Sequence, residues 1–489
     1  MQRAAWSALL GTITIGCLML FFLSSLPFSR SRLLHQQPPI IVDQVYGDEN
    51  EFFQWKSKTG FRYVTDGSAT NSHIDVLCTA FPKEKLEHIQ PVLKTGHGAM
   101  QRVRTQLNST AACLDNLLIF SDMDERVADR NVVDTIADIP QKLIDSDDQT
   151  LPYRLLKQHV ANGTLNEADE SKLPGWETDK FKFLPDISRA WHTSPDKKWF
   201  VFFEGDTYII WDTVFRLLEH FNPDIPHYFG SPSPGRDHTW FANGGPGLIL
   251  SRAAMQRLVQ YDYTWRSMKY RGSKLAEKHW HETLVNCCGD SILGWALYEE
   301  GVKLEGLWPM FNPHPPHGVP FSELYWCQPV LSMHKPHDDD VQDLWRWEWR
   351  AMNAEHPLLY RDLAISFYHG FQSPIIREDW DNADWDGFEP PEYQGAHTSM
   401  ERCQAACTKH HLCMQWTYHL KKCRFVRSFR LGQAKEPHVE DDRKHEHGEW
   451  EAKDQRYMAG WDTVKIKKWI DERPCTEVQW VKPSTERIF

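Results

Sequence analysis

Basic residues are not in excess in this 489-residue sequence, which has 55 Lys and Arg against 67 Asp and Glu and a formal net charge of −12. This balance gives no general attraction to nucleic acid, so we expect no nucleic-acid partner. The sequence also lacks a serine-hydrolase elbow, an HExxH zinc helix, a P-loop and a dinucleotide-binding fingerprint, which argues against hydrolases and nucleoside-triphosphate enzymes. At about 150 residues per domain, the length predicts about three structural units.

Charged residues are absent from positions 4–28, a stretch long enough as a helix to cross a hydrocarbon core about 30 Å thick. We predict a cytoplasmic tail over residues 1–6, a transmembrane signal-anchor over 7–28 and a polar, proline-containing stem over 29–68. A cleaved signal peptide has a shorter apolar region that ends in a small-x-small site. Small residues near the end of the run leave that alternative open, and the length favours retention.

Cysteines and glycosylation triplets indicate the compartment. Eleven cysteines occur, and the ten outside the anchor are an even number compatible with five disulfides in an oxidising lumen. Asn108 and Asn162 each begin an N-glycosylation acceptor triplet, which matters only if the body faces the lumen. These features predict a single-pass type II protein of the Golgi or endoplasmic reticulum membrane with a lumenal body.

Short apolar runs followed by polar residues are typical of strands buried on both faces of a mostly parallel sheet. Such runs occur at 73–81, 115–122 and 197–206. Spaced apolar positions predict crossover helices over 83–107 and 181–193, so the predicted fold class is α/β. Ligands bind beyond the carboxyl ends of the strands in such sheets. Asp122 and the segment from Glu204 to Asp206 follow such runs and are therefore candidates for ligand binding.

Four segments resemble, in order, the motifs of one enzyme family. KKWFVFFEGDTYIIWD (197–212) resembles the W-F-x-x-x-D-D-D-T-Y region of family 31 of the glycosyltransferases, which contains fringe and the core 1 β1,3-galactosyltransferases. FANGGPGLILS (241–251), CCGDSILGWAL (287–297) and QPVLSMHKPH (328–337) are similar to its glycine-rich, acidic and histidine-containing elements. The resemblance implies a GT-A-type domain over residues 69–365 that uses a UDP-sugar as donor and Mn²⁺ as cofactor.

The resemblance also implies roles for individual residues. Asp206, at the third position of the family's acidic triplet, and His334 would bind Mn²⁺, which suits a mixture of carboxylate, imidazole and phosphate ligands. The first two positions of the triplet are Glu204 and Gly205 here, and Glu204 is expected to reach a ribose hydroxyl, or the cation through water. Asp290 would be the general base that removes the acceptor hydroxyl proton in an inverting displacement.

Further candidates lie around these motifs. By the resemblance, Gly244 and Gly245 let the backbone approach the donor sugar. Asp122 and Lys180 are candidates for contacts with uridine or diphosphate, and ordinary strand-end and helix-face roles are equally open to them. Trp240, just before the glycine-rich element, is predicted to contact the acceptor, since pocket walls are often aromatic.

Asp290 has a structural alternative to catalysis. Together with Ser291 it stands at the start of an apolar helical pattern that stops at Gly301, where a helix-capping residue is expected. Both roles are compatible, because a helix N-terminus can face a ligand.

A second cysteine pattern lies in the C-terminal part of the chain. Cys403, Cys407, Cys413 and Cys423 are separated by three, five and nine residues, unlike the ligands of zinc fingers. This segment resembles a PAN/apple module, which implies bridges Cys403–Cys423 and Cys407–Cys413 in a small α+β domain over residues 366–489. In the first domain, Cys78 and Cys113 bracket the first crossover and resemble the opening β-α-β unit of the glycosyltransferase family, which implies a Cys78–Cys113 bridge. Pairing is left open for Cys287, Cys288, Cys327 and Cys475.

Two classes of function follow from these observations. The first is a lumenal, metal-dependent transferase that moves a hexose, galactose by the core 1 resemblance, from a UDP-sugar to a glycan or glycoprotein in β1,3 linkage. The second is a non-catalytic, membrane-anchored carbohydrate- or protein-binding protein that acts through the PAN-like module, its altered triplet marking a decayed metal site. Asp206, Asp290 and His334 are all present at the family's motif positions. This favours the enzyme, because decay of the site should not spare all three.

Overall fold

The structure is a computed structural model, and it describes residues 51–62, 74–165, 173, 175–260, 262, 269–367, 376–382, 384–390, 395–439 and 450–488. The predicted tail, the predicted anchor over 7–28 and most of the predicted stem lie outside the described residues. Within the described ranges, no helix has both the length and the apolar character that a membrane span requires.

The strands are mostly short and are numbered here in chain order. They are β1 (Phe52–Phe53), β2 (Ile89–Lys94), β3 (Leu118–Ser121), β4 (Glu125–Val127), β5 (Arg130–Asp134), β6 (Trp199–Glu204), β7 (Thr207–Ile209), β8 (Tyr228–Gly230), β9 (Pro232–Pro234), β10 (Trp240–Ala242), β11 (Leu248–Ser251), β12 (Glu305–Gly306), β13 (Phe311–Asn312), β14 (Ser332–His334), β15 (Ile376–Glu378), β16 (Trp380–Asp381), β17 (Gln415–His419), β18 (Lys422–Val426), β19 (Gln433–Ala434), β20 (Met458–Trp461) and β21 (Trp480–Val481).

The α-helices are numbered in the same way. They are α1 (Ile74–Cys78), α2 (Met100–Leu107), α3 (Gln141–Ile144), α4 (Leu151–Asn162), α5 (Gly175–Thr178), α6 (Phe183–Thr193), α7 (Trp211–Leu218), α8 (Arg252–Val259), α9 (Lys274–Lys278), α10 (Trp280–Val285), α11 (Gly289–Glu299), α12 (Asp338–Ala351), α13 (Tyr360–Asp362), α14 (Met400–Lys409) and α15 (Thr463–Asp471).

A mixed eight-stranded sheet forms the centre of the molecule, in the order β12-β8-β11-β6-β2-β3-β5-β4. Its middle strands β6, β2, β3 and β5 are parallel to one another, whereas β11 is antiparallel to both β6 and β8, and β4 is antiparallel to β5. A separate three-stranded sheet, β13-β14-β7, contains β7, the strand that follows β6 in the chain. The α/β prediction is therefore confirmed.

Side chains that alternate along the strands supply two cores, one on each face of the sheet. Leu93, Val201 and Phe203 belong to one core, which also contains the tryptophans of α12. Val92 and Phe202 belong to the other, which is covered by α6, α8 and α11. Because β2 and β6 are parallel, with Lys94 opposite Glu204, their carboxyl ends lie at the same edge of the sheet.

Some element predictions are confirmed and others are wrong. The runs at 115–122 and 197–206 contain β3 and β6, and the helix predicted at 181–193 is α6. The run at 73–81 is not a strand but contains helix α1, since a short apolar run does not by itself distinguish the two. The single helix predicted over 83–107 is wrong as well. Strand β2 interrupts it, is buried at all six positions, and contains Pro91, which disfavours a helix interior.

The C-terminal part forms a four-stranded antiparallel sheet, β15-β20-β17-β18, beside helix α14. The structure contains Cys403–Cys423 and Cys407–Cys413 bridges here and a Cys78–Cys113 bridge in the first part of the chain. The assignment of this sheet to a PAN/apple module stays a prediction, as does the boundary at residues 365 and 366.

The end of the chain packs back on the central core. Strand β21 pairs with β1, and Ile466 and Trp480 belong to the same core as the central sheet. The cysteines left open by the sequence form a Cys327–Cys475 bridge, which joins these two parts, and a bridge between the neighbours Cys287 and Cys288. The C-terminal segment therefore shares a core with the first domain.

Candidate active site

The acidic residues after β6 meet His334 because of how two short strands pair. Strand β6 ends at Glu204, and after Gly205 and Asp206 the chain enters β7. β14 is antiparallel to β7, with His334 opposite Thr207. One ligand atom each of Glu204, Asp206 and His334 therefore lies within 4.8 Å of the others. His334 Nε2 is 3.7 Å from Asp206 Oδ1.

Each of the two carboxylates faces a basic side chain. In the parallel pair β2 and β6, Lys94 is opposite Glu204, and its Nζ lies 2.9 Å from Glu204 Oε1 and 2.6 Å from Asp179 Oδ2. Burial alone would lower the pKa of Lys94, but the charges of Asp179 and Glu204 outweigh it and raise that pKa. Arg102 on α2 donates to Asp206 Oδ2 at 2.9 Å from an exposed position. Lys94 is thus a fixed cation, whereas Arg102 is free to exchange partners with solvent.

The glycine-rich loop between β10 and β11 brings backbone against this cluster. A Cβ added at Gly245 would lie 2.2 Å from His334 Cε1, so only glycine lets the loop lie on the imidazole ring. Thr207 Oγ1 donates to the Gly245 carbonyl at 2.6 Å. At Gly247 the φ angle is +84°, a conformation that favours glycine. The loop is therefore bound to β7 and His334 together.

Asp290 is linked to the same loop by a hydrogen bond. Its Oδ2 accepts the backbone N–H of Gly244 at 2.9 Å, and its Oδ1 accepts the N–H of Ser291 at 2.8 Å. Burial raises the pKa of Asp290, an effect that the two N–H donors oppose. The capping prediction needs a correction, because the N-cap of α11 is Cys288 and Asp290 is the second residue of the helix.

Phe183 connects the loop, the helix that carries Asp290 and the buried lysine. A Cβ at Gly244 would lie 3.0 Å from its ring, and one at Gly289 would lie 2.3 Å from it. Lys94 Nζ is 4.0 Å from the ring centroid, a cation–π contact.

Sequence reasoning missed Lys94, Arg102 and Phe183. Lys94 is the last residue of an unrecognised strand, and the other two lie on helices with no motif of their own.

The remaining candidate residues have defined surroundings. Asp122, at the end of β3, is buried and accepts the N–H of His97 at 2.8 Å. Lys180 donates to the carbonyl of Asn286 at 3.0 Å and so supports the segment before α11. Trp240 lies half-buried at the start of β10 and packs against the α6 side of the core. Contacts of these three with nucleotide or acceptor stay predictions.

Both predicted glycosylation sites lie on the surface. Asn108 follows the last residue of α2, and Asn162 is the last residue of α4. Both side chains are exposed, so the structure leaves room for a glycan at each position. Their modification stays a prediction.

Comparison with known proteins gives one match to a family model and matches to curated proteins. A family model described as Fringe-like matches residues 132–296. The chain is similar to the Fringe glycosyltransferase of Drosophila melanogaster, with 33% identity over 79 residues, 13% of this chain and 19% of that protein. It is also similar to Glycoprotein-N-acetylgalactosamine 3-beta-galactosyltransferase 1 of Xenopus laevis, with 34% identity over 65 residues, 13% of this chain and 18% of that protein.

The matched region contains much of the candidate site. Glu204, Asp206, the glycine-rich loop and Asp290 lie inside residues 132–296, whereas Lys94 and His334 reach the cluster from outside that range. The aligned regions span less than a fifth of the length of these two curated relatives. Over residues 132–296 this chain carries a Fringe-like domain, and the resemblance to the family of fringe and the core 1 galactosyltransferases is confirmed.

Proposed function

We propose that this protein is an inverting, metal-dependent glycosyltransferase with a GT-A-type domain. It transfers a hexose, galactose in the first instance, from a UDP-sugar to a hydroxyl of a glycan or glycoprotein in β1,3 linkage. The observation that carries this proposal is that the glycine-rich loop contacts both the possible metal ligands and the proposed base. Gly245 lies on His334, and Gly244 donates to Asp290.

The donor atoms of the cluster fit a divalent cation such as Mn²⁺. Two carboxylates and one imidazole lie within 4.8 Å of one another, and Mn²⁺ accepts both oxygen and imidazole nitrogen ligands. Burial lowers the pKa of His334, which keeps its imidazole neutral and able to ligate near neutral pH. Asp206 and His334 would hold the cation, with Glu204 beside them. When bound, the cation would neutralise negative charge on the departing UDP.

The protein's own residues account for the proton and for orientation. Asp290 takes the proton of the acceptor hydroxyl while that oxygen forms a bond to the anomeric carbon on the face opposite UDP. The bond to UDP breaks and its electron pair leaves with the diphosphate, so an α-linked donor gives a β-linked product. Burial raises the pKa of Asp290, which makes it a stronger base than an exposed aspartate.

The proposed location follows from the predicted anchor, even cysteine count and glycosylation triplets. We place the protein in the Golgi or endoplasmic reticulum membrane as a single-pass type II protein with a lumenal body. The five disulfides of the structure agree with an oxidising compartment.

UDP release tests the proposed function. The full chain, purified in detergent, is incubated with UDP-galactose, UDP-glucose or UDP-N-acetylglucosamine, with Mn²⁺ or with a chelator, and released UDP is measured. We expect release from one donor with Mn²⁺ and none with the chelator. Absence of both UDP binding and UDP release with every donor would overturn the proposal and favour a binding protein that acts through its C-terminal module.

Substitution of Gly245 by alanine tests the fit of the loop against His334. The new Cβ would overlap the imidazole ring, so His334 must move away from Asp206. We expect Mn²⁺ affinity, measured by calorimetry, to fall about 10- to 100-fold, the usual range for loss of a group that orients a metal ligand. Gly98→Ala is the matched control, because a Cβ there meets open space. Equal Mn²⁺ affinity of the two variants would contradict the predicted contact.

Arg102 is expected to compete with the cation for Asp206. Its guanidinium occupies Asp206 Oδ2 at 2.9 Å and is 54% exposed, so the ion pair is weak. In Arg102→Ala we expect Mn²⁺ to bind about threefold more tightly, which corresponds to less than 1 kcal/mol. Arg104→Ala, on the same helix, is the control. Calorimetry that shows unchanged or weaker Mn²⁺ binding in Arg102→Ala would refute this competition.

A further inference from the structure

A second cluster of possible metal ligands lies apart from the Glu204–Asp206–His334 cluster. One ring nitrogen each of His317 and His337 and one carboxylate oxygen of Asp340 lie within 4.8 Å of one another. None of these residues belongs to the proposed transfer chemistry, and none lies in the region matched by the Fringe-like family model.

Local structure brings the three side chains together from two segments. His317 is the middle residue of the 3-10 turn Pro316–Gly318, whereas His337 is the N-cap of α12 and Asp340 lies in its first turn. The two imidazole rings are stacked, with centroids 5.1 Å apart and planes inclined by 12°. The cluster therefore joins a turn to the start of a 14-residue helix.

The C-terminal part of the chain crosses the same place. The N–H of Gly432 donates to the carbonyl of His317 at 2.9 Å, and His337 Nε2 lies 3.0 Å from Gln433 Oε1. Gln433 begins β19, which pairs with β16. An amide oxygen beside a ligating histidine is the usual partner that fixes the orientation of such a ring.

The bonding of the cluster is incomplete. His317 Nδ1 is buried and has no hydrogen-bond partner within the described ranges. Burial, with a smaller effect of His337, lowers the pKa of His317 to about 4, so this imidazole is neutral and has a lone pair to offer. His337 also accepts the backbone N–H of Asp340 as a helix cap, which is the ordinary structural role of such a residue. A cation would replace one hydrogen bond of His337 and give the buried ring nitrogen of His317 a partner.

We propose that His317, His337 and Asp340 bind a zinc ion that fastens the turn and the start of α12 beside the C-terminal segment at Gln433. Two imidazoles and one carboxylate are a ligand set that zinc accepts, with water completing four-coordination. This site is separate from the proposed Mn²⁺ and UDP site and goes beyond the proposed function.

Zinc content of the full chain tests this site. The protein in detergent is stripped with a chelator, equilibrated with zinc at low micromolar concentration, desalted and analysed for metal. We expect wild type and Asp206→Asn to retain one zinc per chain at this site, and His317→Gln and Asp340→Asn to retain at least tenfold less. Asp339→Asn is the matched control, since this exposed carboxylate neighbours Asp340 on the same helix.

Thermal unfolding provides the second measurement and guards against misfolded variants. Zinc is expected to raise the unfolding temperature of wild type and Asp339→Asn but not that of Asp340→Asn, because only binding to the folded state stabilises it. Mn²⁺-dependent UDP binding should be unchanged in Asp340→Asn. This result would show that the variant is folded and that loss of the zinc site leaves the proposed donor site intact. Equal zinc content in Asp340→Asn and Asp339→Asn, or no retained zinc in wild type, would overturn the proposal.

Discussion

Replacement of Asp290 by asparagine is expected to lower kcat about 1,000-fold, within the range for removal of a general base. Asparagine has the same shape and keeps an oxygen that can accept the N–H of Gly244, so the loop should stay in place. It has no basic carboxylate to take the acceptor proton. We therefore expect UDP to bind Asp290→Asn as tightly as wild type in the presence of Mn²⁺, while product formation almost stops.

The pH profile distinguishes loss of the base from a structural effect. Because burial raises the pKa of Asp290, the acid limb of kcat/KM in wild type should lie above the pH at which an ordinary aspartate titrates. Activity falls as pH decreases through this raised pKa, since the protonated carboxyl cannot accept a proton. The acid limb should disappear in Asp290→Asn and persist in Glu299→Gln, at the other end of the same helix. Wild-type kcat in Asp290→Asn would exclude Asp290 as the base.

Replacement of Asp206 by asparagine is expected to weaken Mn²⁺-dependent UDP binding about 100-fold, or about 3 kcal/mol. Asp206 is the one carboxylate of the cluster that directly neighbours His334, at 3.7 Å, among the residues described. Glu204 is held by Lys94 at 2.9 Å and is less free to replace it. The variant should therefore lose the cation and, with it, most of the affinity for the diphosphate.

Calorimetry of UDP with and without Mn²⁺ measures this effect. Asp196→Asn is the matched control, because this exposed aspartate precedes β6 and lies outside the cluster. Without Mn²⁺, wild type and Asp206→Asn should bind UDP with similar weak affinity. If Asp206→Asn bound Mn²⁺ and UDP as tightly as Asp196→Asn, the cation would have to bind elsewhere.

The sequence predicted the sheet better than it predicted the order of elements around it. The apolar runs that contain β3 and β6 were recognisable because both faces of the central strands are buried. Strand β2 was hidden inside a helical pattern, although Pro91 was a signal against a helix. The strand predicted at 73–81 was wrong. Helix α1 buries only Leu77 and Cys78, and its other apolar residues complete a short apolar run that looks like a strand.

The sequence motifs identified the residues proposed to carry the chemistry but not the residues that hold them in place. Asp206, His334, Gly245 and Asp290 come from four separate segments, and strand pairing and loop contacts place them in one site. Lys94 was missed because its role depends on the register of β2 against β6, a long-range property that no local pattern records. The same reason explains why the shared core of Ile466 and Trp480 was not foreseen.

The most direct test of the central claim is to locate the cation. Crystals of the protein grown with Mn²⁺ and UDP would be measured at the manganese absorption edge, and an anomalous difference map would be calculated. We predict one strong peak between Asp206 and His334, with the UDP diphosphate beside it. A UDP molecule bound elsewhere, or a manganese peak that does not contact Asp206 and His334, would contradict the proposed active site.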